Sequence, residues 1–198
     1  RGAAKDYSLN VTATKWDIQD IKGIPQKKVT PSAADQKEIG RERGDLKKAL
    51  ADKLNKNYWE KGFVIPVKGR ISGHFGGQRI MNGRKMNPHQ GTDIAAPEGT
   101  PVKAASNGIV RLSGGNYFYS GNTVVIDHGH RLFTIYAHLK KASVKPGDYV
   151  RQGQVIGEVG KTGRVTGPHL HWGASLNGVR FTPESLLHMN NADFCFNL

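Results

Sequence analysis

From Phe63 onward the sequence is cut into short apolar runs by Gly, Pro and Asn, and that punctuation limits what the chain can become. Residues 63–65, 108–112, 123–127, 131–137, 154–159, 170–175 and 179–181 each have the length and the β-branched or aromatic content of a strand. Regularly spaced short strands with Gly-rich turns predict a mostly β fold, with antiparallel sheets arranged as a sandwich or a partly open barrel. The 25 glycines follow no G-x-y period, which excludes a collagen-like chain. No apolar run approaches the roughly 18 residues of a membrane-spanning helix.

Residues 1–62 read differently. They are Lys-rich and carry one helix signal, in which Thr30 caps and Pro31 takes the first helical position. Ile39, Leu46, Leu50 and Leu54 then fall on one face, predicting a helix over 31–55. Gly40 and Gly44 work against it, each costing about 1 kcal/mol relative to Ala. The apolar stripe needs a partner, and the β region is the only one in the chain, so the helix is expected to dock there. Residues 1–29 are expected to be extended or irregular, anchored by Trp16, Ile18 and Ile21. The division expected is thus a basic N-terminal segment, 1–62, and a β domain, 63–198.

Within the β domain two stretches echo each other. Pro97-Glu98-Gly99-Thr100-Pro101-Val102 leads to Asn107-Gly108-Ile109-Val110, and Lys145-Pro146-Gly147-Asp148-Tyr149-Val150 leads to Gly153-Gln154-Val155-Ile156. Each is a turn, a Val, a second turn and a β-branched strand, a pattern similar to the half-repeat of the biotinyl/lipoyl-like fold. The single cysteine, Cys195, allows no intramolecular disulfide and has no activating neighbour. The net charge of +13 is spread evenly along the chain. It suits nucleic acid, an anionic membrane surface or an acidic cell-wall polymer as partner, but no nucleic-acid-binding motif accompanies it.

The chemistry lies in the histidines, all eight of which fall beyond residue 70. His89-Gln90-Gly91-Thr92-Asp93 reads as a loop entering a strand, and places an imidazole and a carboxylate where both can reach one cation. A surface His with a capping Asp would have the same spacing. In Pro168-His169-Leu170-His171-Trp172, a strand points His169 and His171 to one side and Leu170 and Trp172 to the other. The two imidazoles are either both metal ligands or one ligand beside a proton-transfer group, and spacing does not say which. Tyr136-Ala137-His138-Leu139 adds a third imidazole at the end of an apolar strand. Mixed imidazole and carboxylate donors suit Zn²⁺ with an open position, the arrangement of a catalytic site.

These residues resemble the M23 family of zinc metallopeptidases, the lysostaphin/LytM type. The likeness runs through Gly73-His74-Phe75-Gly76 with Arg79, His89-Gln90-Gly91-Thr92-Asp93 and Asp127-His128-Gly129. It continues in Tyr136-Ala137-His138-Leu139, Gly153-Gln154-Val155-Ile156-Gly157, Thr162-Gly163 and Thr166-Gly167-Pro168-His169-Leu170-His171. The resemblance implies His89, Asp93 and His171 as ligands of one Zn²⁺ per chain, with His138 and His169 as catalytic histidines that do not bind metal. His74 departs from the Ser or Pro common there and is assigned no catalytic role, and His128, His130 and His188 are read as structural. The resemblance also implies a monomeric, exported enzyme of the periplasm or cell envelope, any signal or anchor lying upstream. Its substrate would be peptidoglycan, with no nucleic acid, and the bond cut would be the D-Ala–diaminopimelate crosslink more readily than a glycine bridge. The loops around 79–87 and 114–122 would wall the substrate groove. An inactive M23-like module that binds cell wall or activates another hydrolase is the alternative, and relatives of that kind lose zinc ligands that are all present here. A biotinyl or lipoyl carrier would need a modifiable Lys at a hairpin tip, and Lys103 lacks the neighbours for it.

Overall fold

The computed structural model describes residues 8, 10, 13, 15–51 and 54–189. Cys195 lies outside them. The N-terminal part supplies a strand β1 (Ile18–Ile21), a single helical turn α1 (Gln26–Val29) and a helix α2 (Ala33–Ala49). Short strands follow: β2 (Arg70–Gly73), β3 (Gln78–Met81), β4 (Arg84–Lys85), β5 (Thr92–Ala95) and β6 (Pro101–Lys103). The longest pair, β7 (Gly108–Tyr117) and β9 (Leu132–Ala142), flank β8 (Gly121–Asp127). Then come β10 (Tyr149–Val150), β11 (Val155–Val159), β12 (His169–Leu176), β13 (Val179–Phe181) and a 3-10 turn, Pro183–His188.

The main sheet runs β10-β7-β8-β9-β12-β5-β2, every pairing antiparallel, and it does not close into a barrel. The echo between the two turn–Val–turn–strand stretches has a structural meaning, because the halves exchange partners. Strand β6 of the first half pairs with β11 of the second, and β10 of the second pairs with β7 of the first. Val102 and Val150 occupy equivalent places and both are fully buried. Strand β1 instead joins β3 in parallel, with β4 beyond it, over a small core of Ile24, Val29 and Met81.

The two faces of the main sheet do different work. Ile94, Val124, Ile126, Tyr136, Leu170 and Trp172 alternate onto one face and form the large core with Val102, Val150, Ile156 and Leu186. On the other face Val125, Phe133 and Ile135 make a smaller cluster, covered by Ala49 with Leu46 and Leu50 of the helical segment. The docking expected of the helix is therefore observed, and it falls on the sheet face that also carries the histidines.

Several boundaries differ from expectation for local reasons. The helix starts at Ala33, not at Pro31, because Ser32 is the better cap. Its hydroxyl accepts from the Asp35 N–H (3.2 Å) while the Asp35 carboxylate accepts from the Ser32 N–H (2.9 Å), a reciprocal capping box. Thr30 instead ends α1. The helix stops at Ala49, short of Asn55, and Leu54 presents its carbonyl to the His130 N–H. Residues 63–65 form no strand. Phe63 turns into the core, Val64 and Ile65 stay exposed, and Pro66 withholds a ladder donor. Residues 1–29 were expected to be extended or irregular; β1 is extended, and the helical turn α1 is the departure. Of their three anchors, only Ile21 packs into a core; Trp16 and Ile18 remain exposed, with Trp16 edge-on to Phe75.

His128 is fully buried within a polar chain. A carbonyl only accepts, so its Nδ1–H donates to the Asn107 carbonyl (2.6 Å), and its Nε2 accepts from the Thr134 hydroxyl (2.7 Å). Thr134 in turn lies 2.9 Å from the Tyr136 hydroxyl, which accepts from the Ala105 N–H. Burial pushes the His128 imidazole down to about 4. A depressed imidazole adds stability that is fully present above pH 6.5 and is lost as pH falls toward 4, in total about 3 kcal/mol. Unfolding free energies at pH 7 and pH 4.5 should therefore differ less in His128→Gln than in the parent; equal slopes would overturn the assignment. Gly40 and Gly44 face open space in α2. Alanine at either should raise stability by about 1 kcal/mol in urea unfolding.

Candidate metal centre

The site is built where β5, β9 and β12 lie side by side. Asp93 is directly opposite His171 in the β5–β12 register, and His171 is opposite Ala137 in the β12–β9 register. Side chains paired this way share a face, here the one turned away from the main core. His89 enters from the loop before β5. Its Nε2 lies 2.9 Å from His171 Nδ1 and 3.0 Å from Asp93 Oδ1, and the last two atoms are 2.9 Å apart. Gly91 makes this approach possible, because a Cβ there would sit 2.5 Å from the Trp172 carbonyl and 2.7 Å from the His171 ring.

The donor set fits a cation. His89 Nδ1–H donates to the His74 carbonyl (3.0 Å), which leaves the lone pair on Nε2 facing the other two atoms. Three electron-pair donors, two nitrogens and one carboxylate oxygen, then meet within reach of one ion at ordinary Zn–N and Zn–O lengths of about 2.0–2.2 Å. Without an ion the cluster has too few protons to satisfy three mutually facing acceptors. The second oxygen of Asp93 is held by the Arg79 guanidinium, so two of the three donors are fixed by a further contact. Burial by itself would raise the Asp93 pKa, but the ring nitrogens of His171 and His89 beside it and the charge of Arg79 hold it well below the carboxylate range. Burial pushes the His171 imidazole down to about 4, which keeps its lone pair free near neutral pH.

His138 and His169 stand beside this triad without joining it. Their rings are 4.8 Å apart, His138 is 5.9 Å from the His171 ring, and His169 Nε2 is 3.7 Å from Asp93 Oδ1. Each donates Nδ1–H to a carbonyl, His138 to Thr162 (2.8 Å) and His169 to Gly167 (2.9 Å), so each keeps its lone pair on Nε2. Alternation alone would send His138 into the core. Strand β9 instead has one more residue than β8 between the pairs Val124–Tyr136 and Asn122–Leu139, a bulge, and His138 adopts φ +62°. Tyr136 and Leu139 therefore both face the core while Ala137 and His138 both face the site. Burial, then the charges of His169 and His171, holds His138 well below the imidazole range.

A groove of about 440 Å³ opens over His89, His138 and His171, lined by residues of both loops expected to wall it, Arg79, Met86 and Asn87 on one and Tyr119 and Ser120 on the other. Of the aromatic run 117–119 only Tyr119 lines it; Tyr117 and Phe118 are buried. The turn 118–120 is clamped from the N-terminal segment. Glu42 accepts from the Tyr119 N–H (2.9 Å), the Ser120 N–H (2.9 Å) and the Ser120 hydroxyl (2.7 Å). Asp45 accepts from the Tyr117 hydroxyl (3.0 Å), and Lys28 donates to the Phe118 carbonyl (2.6 Å). Ser120 passes the restraint on, since its carbonyl accepts the His138 N–H (2.8 Å). Glu42 was missed as a functional residue, but its signal was present: it lies three residues after Ile39 and four before Leu46, a carboxylate inside the apolar stripe. His74 contributes its backbone carbonyl and not its exposed side chain.

The family model for Peptidase family M23 matches residues 87–183. Peptidoglycan DD-endopeptidase ShyC of Vibrio cholerae is 38% identical over 154 residues, covering 73% of this chain and 35% of that protein. A zinc containing peptidase from Vibrio cholerae superposes with a TM-score of 0.57 at 37% identity, covering 62% of this chain and 39% of the other. A catalytic-domain mutant of the prophage-encoded M23 protein EnpA from Enterococcus faecalis gives 0.52 at 31% identity, covering 61% of this chain and 95% of that one. The chain belongs to peptidase family M23. It spans about a third of the length of ShyC.

Because Glu42 is buried and satisfies three donors of one turn, Glu42→Ala should cost about 2–3 kcal/mol in urea unfolding, the penalty of stranding buried amides. Metal content should stay unchanged, since His89, Asp93 and His171 stand on other elements.

Proposed function

We propose that this chain is a zinc-dependent endopeptidase that hydrolyses peptide bonds in peptidoglycan crosslinks, and that it works as a monomer in the periplasm or cell envelope. The observation that carries this reading is the convergence of His89 Nε2, Asp93 Oδ1 and His171 Nδ1 within 3.0 Å of one another, beside two further imidazoles, His169 and His138, the second of which lines an open groove. The names of relatives such as ShyC support peptidoglycan as substrate. An inactive module would be expected to have lost one of these side chains, and the sequence has His89, Asp93 and His171.

His89, Asp93 and His171 would hold the zinc, which when bound supplies Lewis acidity toward a peptide carbonyl and makes water available as hydroxide near neutral pH. The chain's own part is proton handling. His138 and His169 each present an Nε2 lone pair with Nδ1–H locked on a carbonyl, so the tautomer is set before substrate arrives. One takes the proton of the attacking water at Nε2 and returns it to the departing amine. The other can donate to the oxygen on which negative charge develops only as an imidazolium, after taking up a second proton at Nε2. Arg79 keeps Asp93 ionised and turned toward the histidines.

Crosslinked sacculi are the substrate for the test, digested with and without chelator and with released peptides identified. His138→Ala and His169→Ala should keep zinc and lose about 10²–10⁴-fold in turnover. Asp93→Ala/His171→Ala should lose zinc and activity together. Stoichiometric zinc in that double variant, or zinc loss in His169→Ala, would overturn the division of roles.

A further inference from the structure

The groove over the histidines is strongly cationic. Arg43, Arg79 and Arg164 line it, and no described Asp or Glu does. Arg79 is committed to Asp93. Among the described residues, no ion pair or side-chain hydrogen bond engages the guanidinium of Arg43 or of Arg164. Arg43 stands exposed on α2, but Arg164 is partly buried, and taking a cation out of water without a counter-charge is unfavourable. Burial accordingly lowers its pKa. The acid whose charge reaches it, Glu42, spends both oxygens on the Tyr119–Ser120 turn.

Arg164 is nevertheless held in place. Its backbone N–H donates to the Tyr119 carbonyl (2.9 Å), and its guanidinium lies 4.3 Å from the centre of the Tyr119 ring. A guanidinium packed on an aromatic ring is restrained while its N–H groups stay available, the geometry suited to a bidentate carboxylate. The same turn is fixed from below by Glu42, so the cation is positioned before any ligand arrives.

We infer that Arg164, assisted by Arg43, forms a carboxylate subsite beside the metal centre that selects crosslinks whose leaving amine is carried on a carbon bearing a free carboxylate. This rests on the endopeptidase reading above and narrows it. A D-alanyl–diaminopimelate crosslink has such a carboxylate next to the bond that is cut. A glycine bridge has none, because each internal glycine carboxyl is itself in a peptide bond. The subsite therefore distinguishes the two chemistries by charge and not by size.

The test uses zinc-loaded protein and two crosslinked peptide dimers that differ only at that carboxylate, free in one and amidated in the other. The parent protein should cleave the free acid with a kcat/KM about ten-fold or more above the amide. Arg164→Ala should abolish that preference, chiefly through KM, while still cleaving the amide. Arg164→Lys should restore part of it, and Arg43→Ala should give a smaller loss. Equal cleavage of both dimers by the parent, or an equal loss on both in Arg164→Ala and in Arg164→Lys, would overturn the subsite. Calorimetric binding of the two dimers to zinc-loaded His169→Ala reads the subsite without turnover. Tighter binding of the acid there, with neither dimer cut by the parent, would uphold the subsite and overturn the hydrolytic reading. Equal binding would overturn the subsite whatever the cleavage result.

Discussion

The register between β5 and β12 is the constraint from which the site follows. Pairing Asp93 with His171 brings a carboxylate and an imidazole to 2.9 Å on one face and sends Ile94, Leu170 and Trp172 to the other. A slip of one residue would exchange the two sets, burying charge in the large core and exposing its largest apolar side chain. The hydrophobic effect thus fixes the pairing of Asp93 with His171 indirectly: Trp172 and Leu170 are fully buried in the register that aligns them. Gly91 then lets His89 close the triangle from outside the sheet.

Once that register is set, the remaining imidazoles are placed by departures from regular structure. The bulge in β9 turns His138 out of the core, and the carbonyls of Thr162 and Gly167 decide which nitrogen of His138 and His169 carries its proton. Strain at the positive φ of His138 is offset by a bonded backbone, its N–H held by Ser120, and Ser120 is held by Glu42. Restraint therefore runs from a helix of the N-terminal segment through one turn to a histidine at the floor of the groove. The helix has a double role. Leu46, Ala49 and Leu50 cover an apolar patch of the sheet, and Glu42 and Asp45, on the same docked surface, tie down the β7–β8 turn.

What could be read from the amino-acid sequence was whatever depends on local pattern. Alternation in β8, β9 and β12 and the stripe on α2 are periodic signals, so mostly antiparallel strands and a docked helix were legible, and Val179–Phe181 forms over the residues expected. The short strands β2, β3, β4, β6 and β10 carry too few residues to show a period, and their pairing is made by distant partners. The motif residues His89, Asp93, His138, His169 and His171 were all legible as chemistry, because their residue types and spacing within each motif are local facts.

Which of those imidazoles cluster with Asp93 belongs to the tertiary structure. Spacing left His169 and His171 equivalent, and it is the three-dimensional approach of His89 that leaves His171 within 3.0 Å of the other donors and His169 outside, 3.7 Å from Asp93. The partners of Glu42 and Arg164 lie 77 or more and 45 residues away respectively, and no short-range pattern encodes contacts at that range. The sequence by itself determined a β fold with a histidine-rich chemistry, since period and residue type are properties of neighbours along the chain. Which imidazoles converge, which nitrogen each presents and which arginines line the groove were decided only by folding, because each depends on a distance between segments far apart along the chain.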